Sequence, residues 1–328
     1  MACRKRNFDA YGASPPAHGG SGILRRRLRH IKNKPKVLCL MSPEIAAQLA
    51  AIGRVIDPAK TGAVYAALHD KEPYPGVTVT RDVKYGPADR NILDVFTAEG
   101  ATGTRPVLIF VHGGGFTGGN KYTAGSPYYD NVPLWAARNG LVGVNITYRL
   151  APEGRWPAGA EDVGAAVRWL IDNIAKFGGD PSKIVLVGHS AGATHAGTYA
   201  AMPQFHGPKG HGLAGLILTS GIYDMTTFPL TDNYRTYIGD DASLYAERSP
   251  TNGLDKLDIP SMIVYAELDP QPFIPQFEKL VAVMANAPGG KPCTVFLDKH
   301  SHLSLGYSIG TGDDALTGPI LEFVKGLK

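Results

Sequence analysis

Six short apolar runs, separated by stretches with helical spacing, constrain the fold of this chain more than any other feature. The runs are Val107–Val111, Leu141–Ile146, Ile184–Val187, Leu216–Leu218, Met262–Tyr265 and Thr294–Leu297. Most of them are nearly continuous, which is typical of strands buried on both faces. The helical patterns that lie between them are Ala160–Phe177, Ala191–Met202 and Phe273–Ala287. Strands that alternate with helices predict βαβ units and an α/β fold with a mostly parallel central sheet flanked by helices.

The segments outside these runs complete the predicted architecture. Near-alternating apolar residues at Val77–Val83 and an apolar run at Ile92–Phe96 predict two strands with no helix between them, so we expect an antiparallel edge. Helical spacing from Met41 to about Leu68 predicts short helices outside the sheet, and Pro319 predicts the first turn of a final helix. Residues 222–258 show neither period, and an excursion this long between two strands is typical of a lid or a pocket wall.

The positive charge of the chain is concentrated at its N-terminal end. Residues 1–40 contain ten Lys and Arg and one acid, Asp9, whereas the net charge of all 328 residues is only +4. The rest of the chain is therefore weakly acidic, which disfavours a nucleic-acid-binding surface on the folded body. We interpret residues 1–40 as a basic, disordered leader and residues 41–328 as the folded domain. The spacing of Leu24, Leu28 and Ile31 leaves a transit peptide or a membrane-surface helix open.

Cysteine content and hydropathy indicate the cellular location. The three cysteines, at positions 3, 39 and 293, show no spacing typical of a disulfide framework or a metal site. No apolar run approaches the length of a membrane span or of a signal-peptide core. We therefore expect a reduced, cytoplasmic protein without stable membrane insertion.

The first motif that carries chemistry is Gly188-His189-Ser190-Ala191-Gly192. It follows a predicted strand and opens a predicted helix, which is the setting of a nucleophile elbow. In such a turn the serine hydroxyl is exposed above the sheet, and the helix start supplies N–H donors where an oxyanion forms. Because glycine and serine are common in this chain, the pattern alone is weak, and Ser190 becomes a candidate nucleophile only in this context.

A second motif, His112-Gly113-Gly114-Gly115-Phe116, follows the strand predicted at Val107–Val111. Three consecutive glycines let the chain turn tightly and direct bare N–H groups at one point, as an oxyanion hole requires. A simple turn or a phosphate-binding loop is the alternative. The glycine spacing and the lysine typical of phosphate loops are missing, and the two motifs together are rare by chance.

A serine nucleophile needs a base, and the base needs an orienting acid. Glu267 and Asp269 follow the strand at Met262–Tyr265, and His300 and His302 follow the strand at Thr294–Leu297. The carboxyl ends of strands are where ligands bind in open α/β sheets. The residues alone leave both the acid and the base open. A metal site at the His-x-His pair is disfavoured because no third ligand accompanies it.

These stretches resemble the α/β-hydrolases of the hormone-sensitive-lipase-like carboxylesterase group, close to its kynurenine-formamidase-like members. The resemblance covers roughly residues 77–328. The matching segments are His112–Phe116, Tyr148–Glu153, Pro157–Asp162, Gly178–Ser182, Gly188–Gly192 and Asp269–Pro270. It implies an α/β-hydrolase fold with small cap elements. His189 stands where many members of the group have Asp, and histidine there is more similar to the formamidase-like members.

The resemblance also implies roles for individual residues. Ser190 is expected to be the nucleophile, Asp269 the triad acid in preference to Glu267, and His302 the base in preference to His300. The backbone N–H groups expected to form the oxyanion hole are those of Gly114, Gly115 and Ala191. Asp162 is expected to be a structural acid near the site.

We therefore expect a serine carboxylic-ester hydrolase that acts on small or medium acyl esters through an acyl-enzyme and needs no metal or cofactor. An arylformamidase or another amidase with the same triad is the first alternative. A non-catalytic ligand-binding module is the second, as in the gibberellin receptors, which resemble this group but lack the histidine. The expected partner is a small-molecule ester, and neither the acyl group, the alcohol group nor the oligomeric state follows from the sequence.

Overall fold

A single sheet of eight strands organises the computed structural model, which describes residues 41–327. The strands are β1 Val77–Lys84, β2 Ile92–Ala98, β3 Arg105–Val111, β4 Val142–Ile146, β5 Gly179–His189, β6 Gly215–Thr219, β7 Ser261–Leu268 and β8 Cys293–Ser301. Their order is β1-β2-β4-β3-β5-β6-β7-β8. β2 pairs antiparallel with β1 and β4, and all the other pairs are parallel. The α/β fold, its mostly parallel sheet and the antiparallel edge are thus confirmed.

Helices cover both faces of this sheet. They are α1 Pro43–Ile52, α2 Pro58–Tyr65, α3 Asn131–Arg138, α4 Ala158–Asn173, α5 Ala191–Ala201, α6 Asp232–Ile238, α7 Tyr245–Arg248, α8 Thr251–Leu254, α9 Phe273–Val283, α10 Ser304–Tyr307 and α11 Asp314–Lys325. The helices predicted within residues 41–68 are α1 and α2. The side chain of Ser42 caps α1 by accepting a hydrogen bond from the amide of Ile45 at 3.3 Å.

The side chains of the central strands pack into two separate cores, one on each face of the sheet. Along β3, Val107 and Ile109 pack into the core on one face, whereas Leu108 and Phe110 pack into the core on the other. Successive side chains of a strand point to opposite faces, and here both faces are covered. This is why the apolar runs in the sequence are continuous rather than alternating.

One helix prediction is wrong, and one helix was not predicted. The final helix does not begin at Pro319, because α11 starts at Asp314 and Pro319 lies inside it. The side chain of Asp313 accepts a hydrogen bond from the amide of Ala315 at 3.0 Å, and this cap fixes the helix start earlier. Sequence reasoning also missed α3, a short buried helix that contains Pro133 near its start.

Residues 222–258 form a folded excursion between β6 and β7. It contains the three short helices α6, α7 and α8. Its apolar side chains form one cluster with residues that follow the carboxyl ends of the strands. The cluster contains Phe116, Ala151, Ala191, Ile222, Met225, Phe228, Tyr237, Ile238, Tyr245 and Phe273. We call this set the aromatic cluster. It covers the start of α5 and the loop after β3.

The predictions about the leader, membrane insertion and the cysteines have separate outcomes. The leader predicted at residues 1–40 lies outside the described residues. None of the helices formed by residues 41–327 combines the length and the apolar character that crossing a bilayer requires. Cys293 is disulfide-bonded, so the expectation of a fully reduced chain is wrong at this residue. The cytoplasmic location stays a prediction.

Candidate active site

The turn between β5 and α5 holds Ser190 in a strained backbone conformation. Its φ is +55° and its ψ is −123°, a backbone region that residues other than glycine rarely adopt. The Ser190 amide donates a hydrogen bond to the carbonyl of Thr219 at 2.9 Å. Such a turn presents the serine side chain at the carboxyl end of the sheet, as a nucleophile elbow does.

Close packing explains the two glycines of this turn. A Cβ on Gly192 would lie 2.1 Å from the carbonyl oxygen of Val111, and a Cβ on Gly188 would lie 2.5 Å from the Cα of Ala193. Neither distance is compatible with a side chain. The elbow therefore depends on glycine at both positions, because α5 lies directly against the end of β3.

The glycine loop after β3 lies against the serine. A Cβ on Gly113 would be only 2.9 Å from the Cβ of Ser190. Positive φ values follow at Gly114, Gly115 and Phe116, of +137°, +60° and +68°. No described residue accepts a hydrogen bond from the amides of Gly114 or Gly115.

Ala191 supplies the third of the expected oxyanion donors. It is the first residue of α5, so its N–H has no acceptor inside the helix. The amino end of a helix also carries partial positive charge. The glycine loop and the helix start therefore bring unpaired donors to the neighbourhood of Ser190.

Asp269 lies at the end of β7 and is fully buried. Its Oδ1 lies 2.7 Å from Nδ1 of His302. Its Oδ2 accepts hydrogen bonds from the hydroxyl of Ser220 at 2.6 Å and from the amide of Ala266 at 2.8 Å. Glu267, the other candidate acid, instead accepts from the amide of Lys299 at 2.7 Å. The structure thus brings Asp269, and not Glu267, to the histidine.

His302 presents its second nitrogen without a partner. The ring is fully buried, and Nε2 has no hydrogen-bond partner among residues 41–327. The ring of Phe273 packs on one side, with 4.7 Å between the ring centroids, and the ring of His189 lies at 5.1 Å. Because Nδ1 faces the carboxylate, Nε2 is the nitrogen left to accept a proton.

His300 has different partners from His302. Its Nδ1 lies 3.0 Å from the hydroxyl of Ser304, and its Nε2 lies 3.3 Å from Asp313. The two histidines of the His-x-His pair therefore face separate groups. Among the described residues, no group of three or more His, Cys, Asp or Glu is arranged to hold a metal ion.

Two neighbours of the site were not found from the sequence as site residues. Ser220, which bonds Asp269, has a positive φ of +45° at the end of β6. His189 is buried, and its Nε2 lies 2.9 Å from the main-chain carbonyl of His302. Burial lowers the pKa of His189 to about 3. The sequence contains His189 inside the elbow motif, but nothing in it signals this contact.

Asp162 supports the site from α4. Its carboxylate accepts hydrogen bonds from the amide of Arg149 at 2.7 Å and from the guanidinium of the same residue at 2.9 Å. Asp162 is buried, and these bonds fix the chain that follows β4. The expectation of a structural acid fits this arrangement.

The aromatic cluster is a buried apolar core beside the glycine loop. The ring of Phe116 stacks on that of Tyr237 with centroids 4.5 Å apart, and the edge of Tyr234 meets it at 5.8 Å. Phe273 joins this cluster to His302. The site therefore combines a polar set of groups for proton transfer with an adjoining aromatic wall.

Comparisons with known proteins agree with this arrangement. The family described as BD-FAE matches residues 93–283, more than half of the chain. Esterase LipQ of Mycobacterium tuberculosis is 31% identical over an alignment of 212 residues, and the match covers 58% of this chain and 49% of that protein. Carboxylesterase NlhH of the same species is 31% identical over an alignment of 206 residues, and the match covers 61% of this chain and 50% of that protein. The chain thus spans about half the length of these curated relatives.

Solved structures of esterases share the fold. The hyperthermophilic esterase from Pyrobaculum calidifontis superposes with a TM-score of 0.63 at 23% identity, covering 87% of this chain and 98% of that one. Esterase B from Lactobacillus rhamnosis gives a TM-score of 0.66 at 19% identity, covering 86% and 94%. At these identities the likeness establishes the architecture alone.

Proposed function

The chain belongs to the BD-FAE family and has the α/β-hydrolase fold, and from this premise we propose that it is a serine carboxylesterase. The substrates proposed are esters with small or medium acyl groups. The observation that carries the proposal is the buried pair of His302 and Asp269, 2.7 Å apart, at the same end of the sheet as Ser190. The esterases among its relatives support the same chemistry.

Acylation uses the free nitrogen of His302. Nε2 takes the proton of the Ser190 hydroxyl as its oxygen attacks the ester carbonyl carbon. Asp269 holds the imidazole with Nδ1 protonated and stabilises the imidazolium that forms. The hydrogen bonds that Ser220 and Ala266 donate to Oδ2 of Asp269 fix the carboxylate, so that Oδ1 faces the imidazole ring of His302.

The oxyanion of the tetrahedral intermediate receives hydrogen bonds from the amides of Gly114, Gly115 and Ala191. Loss of one such donor typically costs about 3–4 kcal/mol in the barrier. His302 then returns its proton to the alcohol oxygen as the carbon–oxygen bond breaks, leaving an acyl-enzyme on Ser190. Water, deprotonated by the same histidine, releases the acid. No cofactor or metal takes part in these steps.

The surroundings of the site support an apolar acyl group in the proposed substrate. We assign the contact with the apolar part of the ester to Leu230 and Tyr234, the partly buried side chains of residues 222–258 that pack on the aromatic cluster, so this segment acts as a pocket wall within a hydrolase domain of residues 41–328. Apolar contact of this kind favours acyl chains over charged groups. A small-molecule ester is the proposed partner.

Hydrolysis of p-nitrophenyl acetate, butyrate and octanoate tests the proposal. We expect turnover by the wild type and a loss of about 10³-fold or more in Ser190→Ala and His302→Ala. The amide variants Asp269→Asn and Glu267→Gln form a matched pair, and only the first should lose activity. His300→Gln controls for the loss of a neighbouring histidine.

Each outcome of this test is decisive. Equal losses in the two amide variants would contradict the assignment of the acid. A wild type that cleaves none of the esters but cleaves a formanilide would move the function to the amidase alternative. A wild type that cleaves neither, yet binds esters, would point to the ligand-binding alternative.

A further inference from the structure

The residue before the nucleophile makes its own contact with the base. Nε2 of His189 lies 2.9 Å from the main-chain carbonyl oxygen of His302. A carbonyl oxygen can only accept, so Nε2 of His189 carries the proton. Nδ1 of the same ring has no hydrogen-bond partner among the described residues. Because the ring is buried and burial lowers its pKa to about 3, His189 stays uncharged at neutral pH.

This contact closes a ring of hydrogen bonds around the site. The Ser190 amide donates to the carbonyl of Thr219, and the adjoining Ser220 donates to Asp269. Asp269 faces His302, and the carbonyl of His302 accepts from His189, which is bonded to Ser190 along the chain. Within this ring, the contact from His189 joins the base to the nucleophile through the main chain.

The main chain at His302 belongs to neither a strand nor a helix. β8 ends at Ser301 and α10 begins at Ser304, so His302 lies in the two-residue turn between them. The two ends of the turn are tied by Ser304, whose hydroxyl accepts from the amide of Ser301 at 2.8 Å and donates to its carbonyl at 2.9 Å. Between them, the carbonyl of His302 accepts from His189. His189 comes from the rigid junction of β5 and α5, and its ring also packs 5.1 Å from the ring of His302.

We propose that His189 is a positioning residue, whose Nε2–H holds the main chain of His302 so that the imidazole of the base stays aligned with Ser190. The inference rests on the proposed function, because it concerns the same triad. His189 is buried and its hydrogen bond goes to His302, so the role lies in the placement of the base. A shift of about 1 Å in a reacting group can cost about 100-fold in rate, so a single bond at this place matters.

Two substitutions of similar size separate hydrogen bonding from packing. His189→Gln keeps an N–H at nearly the position of Nε2, whereas His189→Leu fills the space without a donor. His206→Leu is the matched control, because Nε2 of His206 lies 2.7 Å from the carbonyl of Tyr199, away from the triad. It removes the same type of contact at a place the reaction does not use.

Steady-state kinetics with p-nitrophenyl butyrate, corrected for active sites titrated with a phosphonate, provide the first readout. We expect His189→Leu to lower kcat by about 10- to 100-fold with KM within about twofold, since the base and not the binding surface is displaced. We expect His189→Gln to stay within about fivefold of the wild type. His206→Leu should match the wild type per titrated site.

A second readout does not need activity. In proton NMR, the Nδ1–H of His302 that faces Asp269 should give a downfield signal in the wild type and in His189→Gln. In His189→Leu that signal should broaden or disappear. The loss would follow directly from a displaced ring.

These measurements distinguish the failure of each idea. If the wild type is active and His189→Leu keeps its kcat, or if leucine and glutamine reduce kcat equally, the positioning role is wrong while the proposed function stands. If the wild type cleaves no ester, the proposed function fails, and the NMR signal alone then decides whether His189 holds the ring of His302.

Discussion

Three buried histidines should make this protein lose stability in mild acid. His112, His189 and His195 are buried, and burial lowers the pKa of each from 6.5 to about 3. In the unfolded chain all three take up protons near pH 6.5. Between pH 6.5 and pH 3 the unfolded state therefore binds more protons than the folded state, so stability falls as the pH is lowered through this window.

The size of the effect follows from the pKa differences. Each histidine contributes about 1.4 kcal/mol per pH unit once the pH is well below 6.5. Three of them lower the free energy of unfolding by about 6 kcal/mol between pH 7.5 and pH 5. Domains are commonly stable by about 5–15 kcal/mol, so we expect the protein to be close to unfolding near pH 5.

Guanidinium denaturation, followed by tryptophan fluorescence at pH 7.5, 6.5, 5.5 and 5, measures this dependence. His195→Gln removes one of the three titrating groups, so the slope against pH below 6 should fall by about one third. A loss of less than about 1 kcal/mol between pH 7.5 and pH 5 would refute the reasoning. An unchanged slope in His195→Gln would refute the assignment to this residue.

Two further substitutions test single contacts. Ser220→Ala removes the 2.6 Å bond to Asp269, the proposed triad acid. Because a hydrogen bond to a charged group is worth about 1.5–3 kcal/mol, we expect a lower melting temperature and a roughly 10- to 100-fold lower kcat/KM for p-nitrophenyl butyrate per folded molecule; full activity would contradict this. Asp94→Asn weakens buried ion pairs to Lys121 and Arg81, at 2.6 and 2.8 Å, and we expect about 3 kcal/mol less stability in urea denaturation. Glu72→Gln, which affects only a half-exposed partner of Arg81, should cost less than about 1 kcal/mol, and equal losses in the two variants would argue against the role of burial.

The strands were predictable because burial on two faces leaves a plain signature. Leu108 and Phe110 serve one core while Val107 and Ile109 serve the other, so the run contains no polar residue. The same reasoning failed for α3, Asn131–Arg138, because a helix of eight residues that is buried on nearly all sides is too short to establish an amphipathic period, and tertiary burial stabilises it instead.

The elbow and the glycine loop were visible in the sequence for a related reason. Each is a contiguous segment whose backbone geometry needs particular residues, such as glycine at 192. The pairing of Asp269 with His302 is different, because it joins two strand ends that meet only in the folded sheet. The register of β7 and β8 shifts between Ala266 and Leu268, and this irregularity sends Glu267 and Asp269 to different partners although they stand two residues apart.

A contact to a main-chain atom does not restrict the type of the residue that supplies that atom, so the sequence cannot predict it. The carbonyl of His302 would be present whatever side chain stood there, so the sequence could not indicate that His189 donates to it. The sequence also could not indicate the conformation of Ser220, with φ at +45°, since serine is not a residue that favours this region. A motif therefore reports the groups that react, because their chemistry restricts the residue type. The groups that hold them in place are restricted by distance and direction, and these become visible only once the strands are side by side.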